Sequence, residues 1–194
     1  MGGFFGAASR KSCKYDVFFG TDYHSHLGTK RGGLAFYDPD KGFQRQIHNI
    51  ENTPFRTKFE SDLEKFSGCY GLGCISDTDP QPLLVRSHLG LFAISTVGII
   101  TNAEELVEKT FSGPVYQFMA MSSGKVNATE LTAALINRCD NLIDGIRYAQ
   151  AAIEGSCTIL ILNQDGLIAA RDSMGRLPIV IGQSEKGCCA AMES

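Results

Sequence analysis

The residues able to do chemistry begin at the first bond of the chain. Gly2 is small enough for the initiator Met1 to be removed, and the α-amine then exposed is a base with a pKa near ~8. An amine needs a nucleophile beside it to attack an amide, and Met1-Gly2-Gly3-Phe4-Phe5-Gly6 contains none. That stretch suits a short buried strand whose glycines let another backbone come close. Thiols are the other store of nucleophiles: Cys13, Cys69, Cys74, Cys139, Cys157, Cys188 and Cys189. They are odd in number, irregular in spacing and without a Cys-x-x-Cys pair, so they read as reduced, mostly buried thiols rather than a disulfide framework. Asp22-Tyr23-His24-Ser25-His26 falls short of a tetrahedral ligand set. It reads as a polar helix end, and no metal or other cofactor is expected.

The elements that position these residues alternate between strand and helix patterns. After the first strand, Tyr15, Phe19, Tyr23 and Leu27 recur every four residues, which predicts a helix packed on a sheet through that stripe and ended by Gly28. Gly33 to Asp38 and Phe43 to His48 form a hairpin around Asp38-Pro39-Asp40-Lys41-Gly42. Thr53-Pro54 starts a second helix with Phe55, Phe59, Leu63 and Phe66 on one stripe. Gly71 to Ser76 is a strand, and a polar turn separates it from a hairpin of Leu83 to Ser87 and Leu91 to Ile100 around Gly90.

Asn102-Ala103-Glu104-Glu105 and Asn127-Ala128-Thr129-Glu130 have capping-box spacing and each predict a helix start, with Phe111 to Val126 between them read as loop with at most a short helical turn. Leu131, Leu135 and Ile136, then Leu142, Ile146, Ala149 and Ile153, give a pair of helices their apolar faces. Cys157 to Leu162 and Leu167 to Arg171 flank the hairpin signal Asp165-Gly166, and strands at Pro178 to Gly182 and Cys188 to Met192 follow. Antiparallel hairpins with helices between them exclude a doubly wound parallel sheet and favour α+β layers.

The 194 residues, 43% hydrophobic and 20% charged, suit one domain with a substantial core. A net charge of −3 without a basic face argues against nucleic acid. No apolar run has the length of a membrane span and no signal peptide stands at the start, so no membrane is expected and the cytoplasm is the expected compartment.

An ordered series of motifs adds a family. Asp165-Gly166-Leu167-Ile168-Ala169-Ala170-Arg171-Asp172-Ser173-Met174-Gly175-Arg176-Leu177-Pro178 resembles a stretch of the class II glutamine amidotransferases that reads Asp-Gly, apolar strand, Ala-Arg-Asp-Pro-x-Gly-x-Arg-Pro. His26-Leu27-Gly28 with Arg31-Gly32-Gly33 is similar to their His-Arg-Gly helix end and glycine pair, with Leu27 in place of arginine. Pro80-Gln81-Pro82 and Gly98-Ile99-Ile100-Thr101-Asn102-Ala103 look like Ala-Gln-Pro and Gly-Asn-Leu-x-Asn-Ala. The likeness is to the N-terminal domain of the amidophosphoribosyltransferase branch. It implies a four-layer αββα sandwich of the N-terminal-nucleophile hydrolase type. It further implies a C-terminally incomplete piece, 1–194, of a longer protein with a phosphoribosyltransferase domain as partner, and it leaves a homo-oligomer open.

The resemblance also says which positions should hold the chemistry. The nucleophilic cysteine falls on Gly2, the carboxylate-binding arginine on or near Ser76, the oxyanion Asn-Gly pair on Val97 and Gly98, and the acid that grips the substrate ammonium on Ala128. Only the backbone of Gly98 keeps the family's group. Loss of one oxyanion donor costs on the order of 10²–10³ in turnover, so the first expectation is a domain that has lost glutaminase activity and kept a structural or regulatory role. Cys13, at the start of the first helix, cannot supply an N-terminal amine and does not replace the missing thiol. Two other readings stand: an active glutamine-dependent amidophosphoribosyltransferase with an unrecognised nucleophile, and a module that binds another small ligand in the old pocket.

Overall fold

Alternation along the first strand, β1 (Gly2–Ser9), sets the architecture. In the computed structural model, which describes residues 2–111, 121–122 and 125–194, Phe4 joins a cluster with Leu72, Ala93, Val97 and Leu160, while Phe5 and Ala7 join Val17, Phe18 and Phe55. Successive side chains of a strand point to opposite faces, so β1 needs a layer on each side. It lies within an antiparallel sheet in the order β11 (Val180–Ser184), β12 (Gly187–Ala191), β1, β4 (Tyr70–Ser76), β2 (Arg31–Asp38), β3 (Gly42–Asn49). Against its inner face packs a second antiparallel sheet in the order β10 (Gly166–Ala170), β9 (Gly155–Asn163), β6 (Gly90–Ile100), β5 (Leu83–Ser87).

Helices cover the outer faces. α1 (Lys14–Tyr23) and α2 (Phe55–Phe59) pack on the first sheet through Val17, Phe18, Phe55 and Phe59. α3 (Ala103–Phe111), α4 (Ala128–Ile136) and α5 (Leu142–Ala152) pack on the second through Leu106, Leu131, Leu135 and Ile146. The result is the α+β arrangement that the strand and helix patterns predict, in the helix–sheet–sheet–helix layering that the resemblance implies, with one apolar layer between the sheets and one beneath each helical layer. Among the described residues, no helix is long and apolar enough to cross a membrane.

The first helix is rotated relative to its expected face. Tyr15, Phe19 and Tyr23 are 56%, 51% and 59% exposed, and the buried side is Val17, Phe18 and Thr21, with Cys13 before it and His24 after it. Small residues decide the seating: a Cβ on Gly20 would meet the Phe5 ring, and one on Gly73 of β4 would meet Thr21. The aromatic stripe is left to surface cations, with the Arg56 guanidinium 5.5 Å from the Phe19 centroid and the Lys14 ammonium 5.2 Å from that of Tyr15. Leu27 falls beyond the α-helix, in a 3-10 turn over His24–Leu27.

Other elements differ in extent. The second helix is one α turn followed by a 3-10 turn, Glu60–Asp62, yet Phe55, Phe59, Leu63 and Phe66 are all buried as the stripe requires. The strand expected at Pro178 begins at Val180, past a residue without an N–H to give a ladder. Of the stretch read as loop, residues 112–120 and 123–124 lie outside the described residues, and β7 (Met121–Ser122) pairs with β8 (Lys125–Val126).

Candidate functional site

β1 and β4 finish side by side. Gly2 is the ladder partner of Ser76, so the position expected to carry a nucleophile is adjacent to the one expected to carry a carboxylate-binding arginine. Neither has such a group. Ser76 is buried, and its hydroxyl accepts the Thr78 N–H at 3.2 Å, which commits it to the turn that follows. The other neighbour of Ser76 in register is Arg31 on β2. Paired residues project to the same face of a sheet, so the partly buried Arg31 leaves the sheet beside the vacated arginine position. The motif comparison places Arg31 only ahead of the Gly32-Gly33 pair, 45 residues before Ser76, and strand register brings it across.

Val97 and Gly98 lie near the end of β6. Val97 is buried in the inter-sheet layer with Phe4 and Cys74, so an apolar side chain fills the place of the expected amide. Gly98 has φ 153°, and a Cβ there would strike the Ser156 carbonyl of β9, so the close pairing of β6 and β9 by itself requires glycine. Ala128 opens α4 with a methyl group where an acid is expected. Asn127 caps the helix, its Oδ1 accepting from the Thr129 and Glu130 amides at 2.8 and 3.0 Å. A buried 2.6 Å hydrogen bond between the Thr96 and Thr129 hydroxyls ties the start of α4 to β6 beside Val97. The structure thus joins Gly2 with Ser76 directly, and the segment holding Val97 and Gly98 with the start of Ala128's helix.

Two matched motifs turn out to hold the frame. Gln81 clamps β6 through its side-chain amide, accepting the Thr96 N–H at 2.8 Å and donating to the Thr96 carbonyl at 3.1 Å. Asn102 stands at the start of α3 as its spacing predicts, and its side-chain amide donates to the Ala152 carbonyl at 3.0 Å and accepts the Glu154 N–H at 2.9 Å, fastening the end of α5. In both cases one amide satisfies a donor and an acceptor on a distant backbone.

The thiols near this region are unsuited to attack. Cys74, two residues before Ser76 on the same face of β4, is almost fully buried, and burial pushes its thiol up to about 12 despite the opposing hydroxyl of Ser95. Burial likewise pushes Cys13 up to about 12 and Cys157 to about 11. The Cys13 thiol points at the Gly68 carbonyl, 3.6 Å away, at the foot of α1. Thiols held so high carry little thiolate at neutral pH. The histidines go separate ways: buried His24 hydrogen-bonds the Gly20 carbonyl at 2.6 Å, while His26 meets Glu193 at 2.9 Å. Among the described residues, no group of three His, Cys, Asp or Glu side chains is placed to hold a metal.

The fold is that of the N-terminal-nucleophile hydrolase type of glutamine amidotransferase domain, and the chain resembles the amidophosphoribosyltransferases along its whole length. It is 28% identical over 206 residues to the amidophosphoribosyltransferase of Methanocaldococcus jannaschii, covering 100% of this chain and 42% of that protein. The enzyme of the same name from Archaeoglobus fulgidus is 27% identical over 177 residues, with 89% and 35% coverage. Among solved structures, the glutamine phosphoribosylpyrophosphate amidotransferase of B. subtilis complexed with ADP and GMP superimposes with a TM-score of 0.83 at 24% identity, over 98% of this chain and 42% of that one. No family model matches. The chain therefore spans about two fifths of the length of these relatives.

Proposed function

We propose that this chain is a glutamine amidotransferase-like domain that keeps the fold and has lost glutamine hydrolysis. Its role is structural or regulatory, within an amidophosphoribosyltransferase-like protein of purine nucleotide biosynthesis. The observation that carries this reading is the strand end where Gly2 and Ser76 pair, which offers neither a thiol nor a guanidinium of its own. Val97 and Ala128 extend the deficit to the amide and the acid. Arg31 supports the binding of a carboxylate there, but binding a substrate without a group to attack it yields no turnover. Cys74 and Cys13, high in pKa and enclosed, do not fill the gap.

The share of the relatives left unmatched supports a phosphoribosyltransferase domain of the same protein as the partner against which this domain docks. A cytoplasmic setting, the absence of a resident cofactor and assembly into a homo-oligomer complete the proposal. Incubation with 6-diazo-5-oxo-L-norleucine, a glutamine-like electrophile, followed by intact-mass measurement tests the central point. The domain is expected to stay unmodified while an authentic class II enzyme is labelled once per chain. Stoichiometric labelling of any cysteine here overturns the proposal.

A further inference from the structure

A cavity of about 240 Å³ lies between the end of α5, the start of β9 at Gly155 and Cys157, and the segment after β10. Asp172 lines it, is 9% exposed, and among the described residues neither of its carboxylate oxygens has a hydrogen-bond partner. A buried carboxylate left unpaired costs several kcal/mol, so such a group is retained with a counter-group or neutralised. Glu154 adds a second carboxylate to the lining, and α5, ending at Ala152, turns its negative end to the same region. These features select a positive charge. The lining also includes Arg176, which is exposed and makes no ion pair among the described residues, and the apolar Ile153 and Met174.

We propose that this cavity binds a small zwitterion of the α-amino acid class. Its ammonium is held by Asp172 with Glu154 and its carboxylate by Arg176, with Ile153 and Met174 against the side chain. An ammonium carries three N–H donors, which suits a carboxylate whose acceptors are all vacant. A guanidinium at the mouth then supplies the opposite charge that a bare amine would not use. The site depends on no residue of the Gly2, Ser76, Val97 and Ala128 set, so it stands whether or not glutamine hydrolysis is lost.

Saturation-transfer NMR and calorimetry on the whole chain test it with glycine, alanine, glutamate and glutamine as probes, beside N-acetylalanine and alaninamide. At least one free amino acid is expected to bind saturably with Kd below about 1 mM. N-acetylalanine, which lacks the ammonium, should not compete. Asp172→Asn, close to isosteric, should weaken binding more than about tenfold, a difference of about 1.4 kcal/mol. Arg176→Gln, at an exposed position, should bring amino acid and alaninamide to equal affinity. Competition by N-acetylalanine, an unchanged preference for the free carboxylate in Arg176→Gln, or no saturable binding by any probe overturns the assignment.

Discussion

Gly2→Cys returns a thiol to the position where the resemblance expects a nucleophile, and the structure says what it does there. A Cβ built on Gly2 lies closer than 3.0 Å to the carbonyl oxygen of Ile75 and 3.3 Å from the Cα of Ser76. Both obstacles are backbone atoms of β4, held from the other side by the ladder to β2, so they cannot swing aside as a flexible side chain would. Forcing an atom into such a contact costs about 1–3 kcal/mol. In a domain of this size each kcal/mol lowers Tm by about 2–4 °C, so the variant is expected to melt roughly 2–12 °C below the parent. Ser76, Val97 and Ala128 remain unchanged, so the new thiol meets no arginine at the family position, no oxyanion amide and no ammonium-binding acid. Differential scanning calorimetry, with mass spectrometry to confirm removal of Met1, should therefore show a less stable protein that still releases no ammonia from glutamine. A variant as stable as the parent that turns over glutamine refutes both the packing argument and the claim that four roles, not one, are missing.

Two aromatic truncations on α1 test its orientation: Phe18→Ala should cost about 3–5 kcal/mol by urea or thermal unfolding, whereas Phe19→Ala, on the exposed stripe, should stay within about 0.5 kcal/mol. Equal effects would restore the face expected from the four-residue spacing. Asp62 is buried, which by itself raises its carboxyl, but Lys65 and His48, each 2.6 Å away, hold it below the usual range. Its contribution is therefore full above the ordinary Asp value of about 3.9 and lost as pH falls through the lower folded value. Asp62→Asn should destabilise by about 1–3 kcal/mol at neutral pH, and the gap from the parent should close in acid unfolding curves. Asn127→Ala removes the acceptor for two amides at the head of α4 and should cost about 0.5–2 kcal/mol of unfolding free energy.

Much of this arrangement is legible in the chain because period and turn chemistry are local. Asp165-Gly166 sets the β9–β10 hairpin, the Asn127 cap starts α4 where its spacing says, and Phe55, Phe59, Leu63 and Phe66 are buried as their stripe demands. The first helix shows the limit of that reasoning. Tyr15, Phe19 and Tyr23 make the more conspicuous stripe, but seating is decided by how closely Gly20 and Gly73 let the helix and β4 approach, a tertiary fact that no spacing in α1 contains. Asn102 shows both sides: α3 starts at Ala103 as the capping-box spacing predicts, but that pattern records only what a side chain can reach locally, and the Asn102 amide is taken by partners at Ala152 and Glu154, about fifty residues away. At the candidate site, matched motifs locate the vacated positions one by one. Register alone reveals Arg31 beside Ser76, and only burial in three dimensions singles out Asp172.

Ammonia release from glutamine, measured on this chain beside an authentic class II amidotransferase, tests the loss of glutaminase chemistry most directly. Release indistinguishable from the protein-free rate, while the same chain melts cooperatively, is the predicted result. Glutamine-dependent release above that rate, lost on substitution of a single cysteine, would contradict it and name the nucleophile.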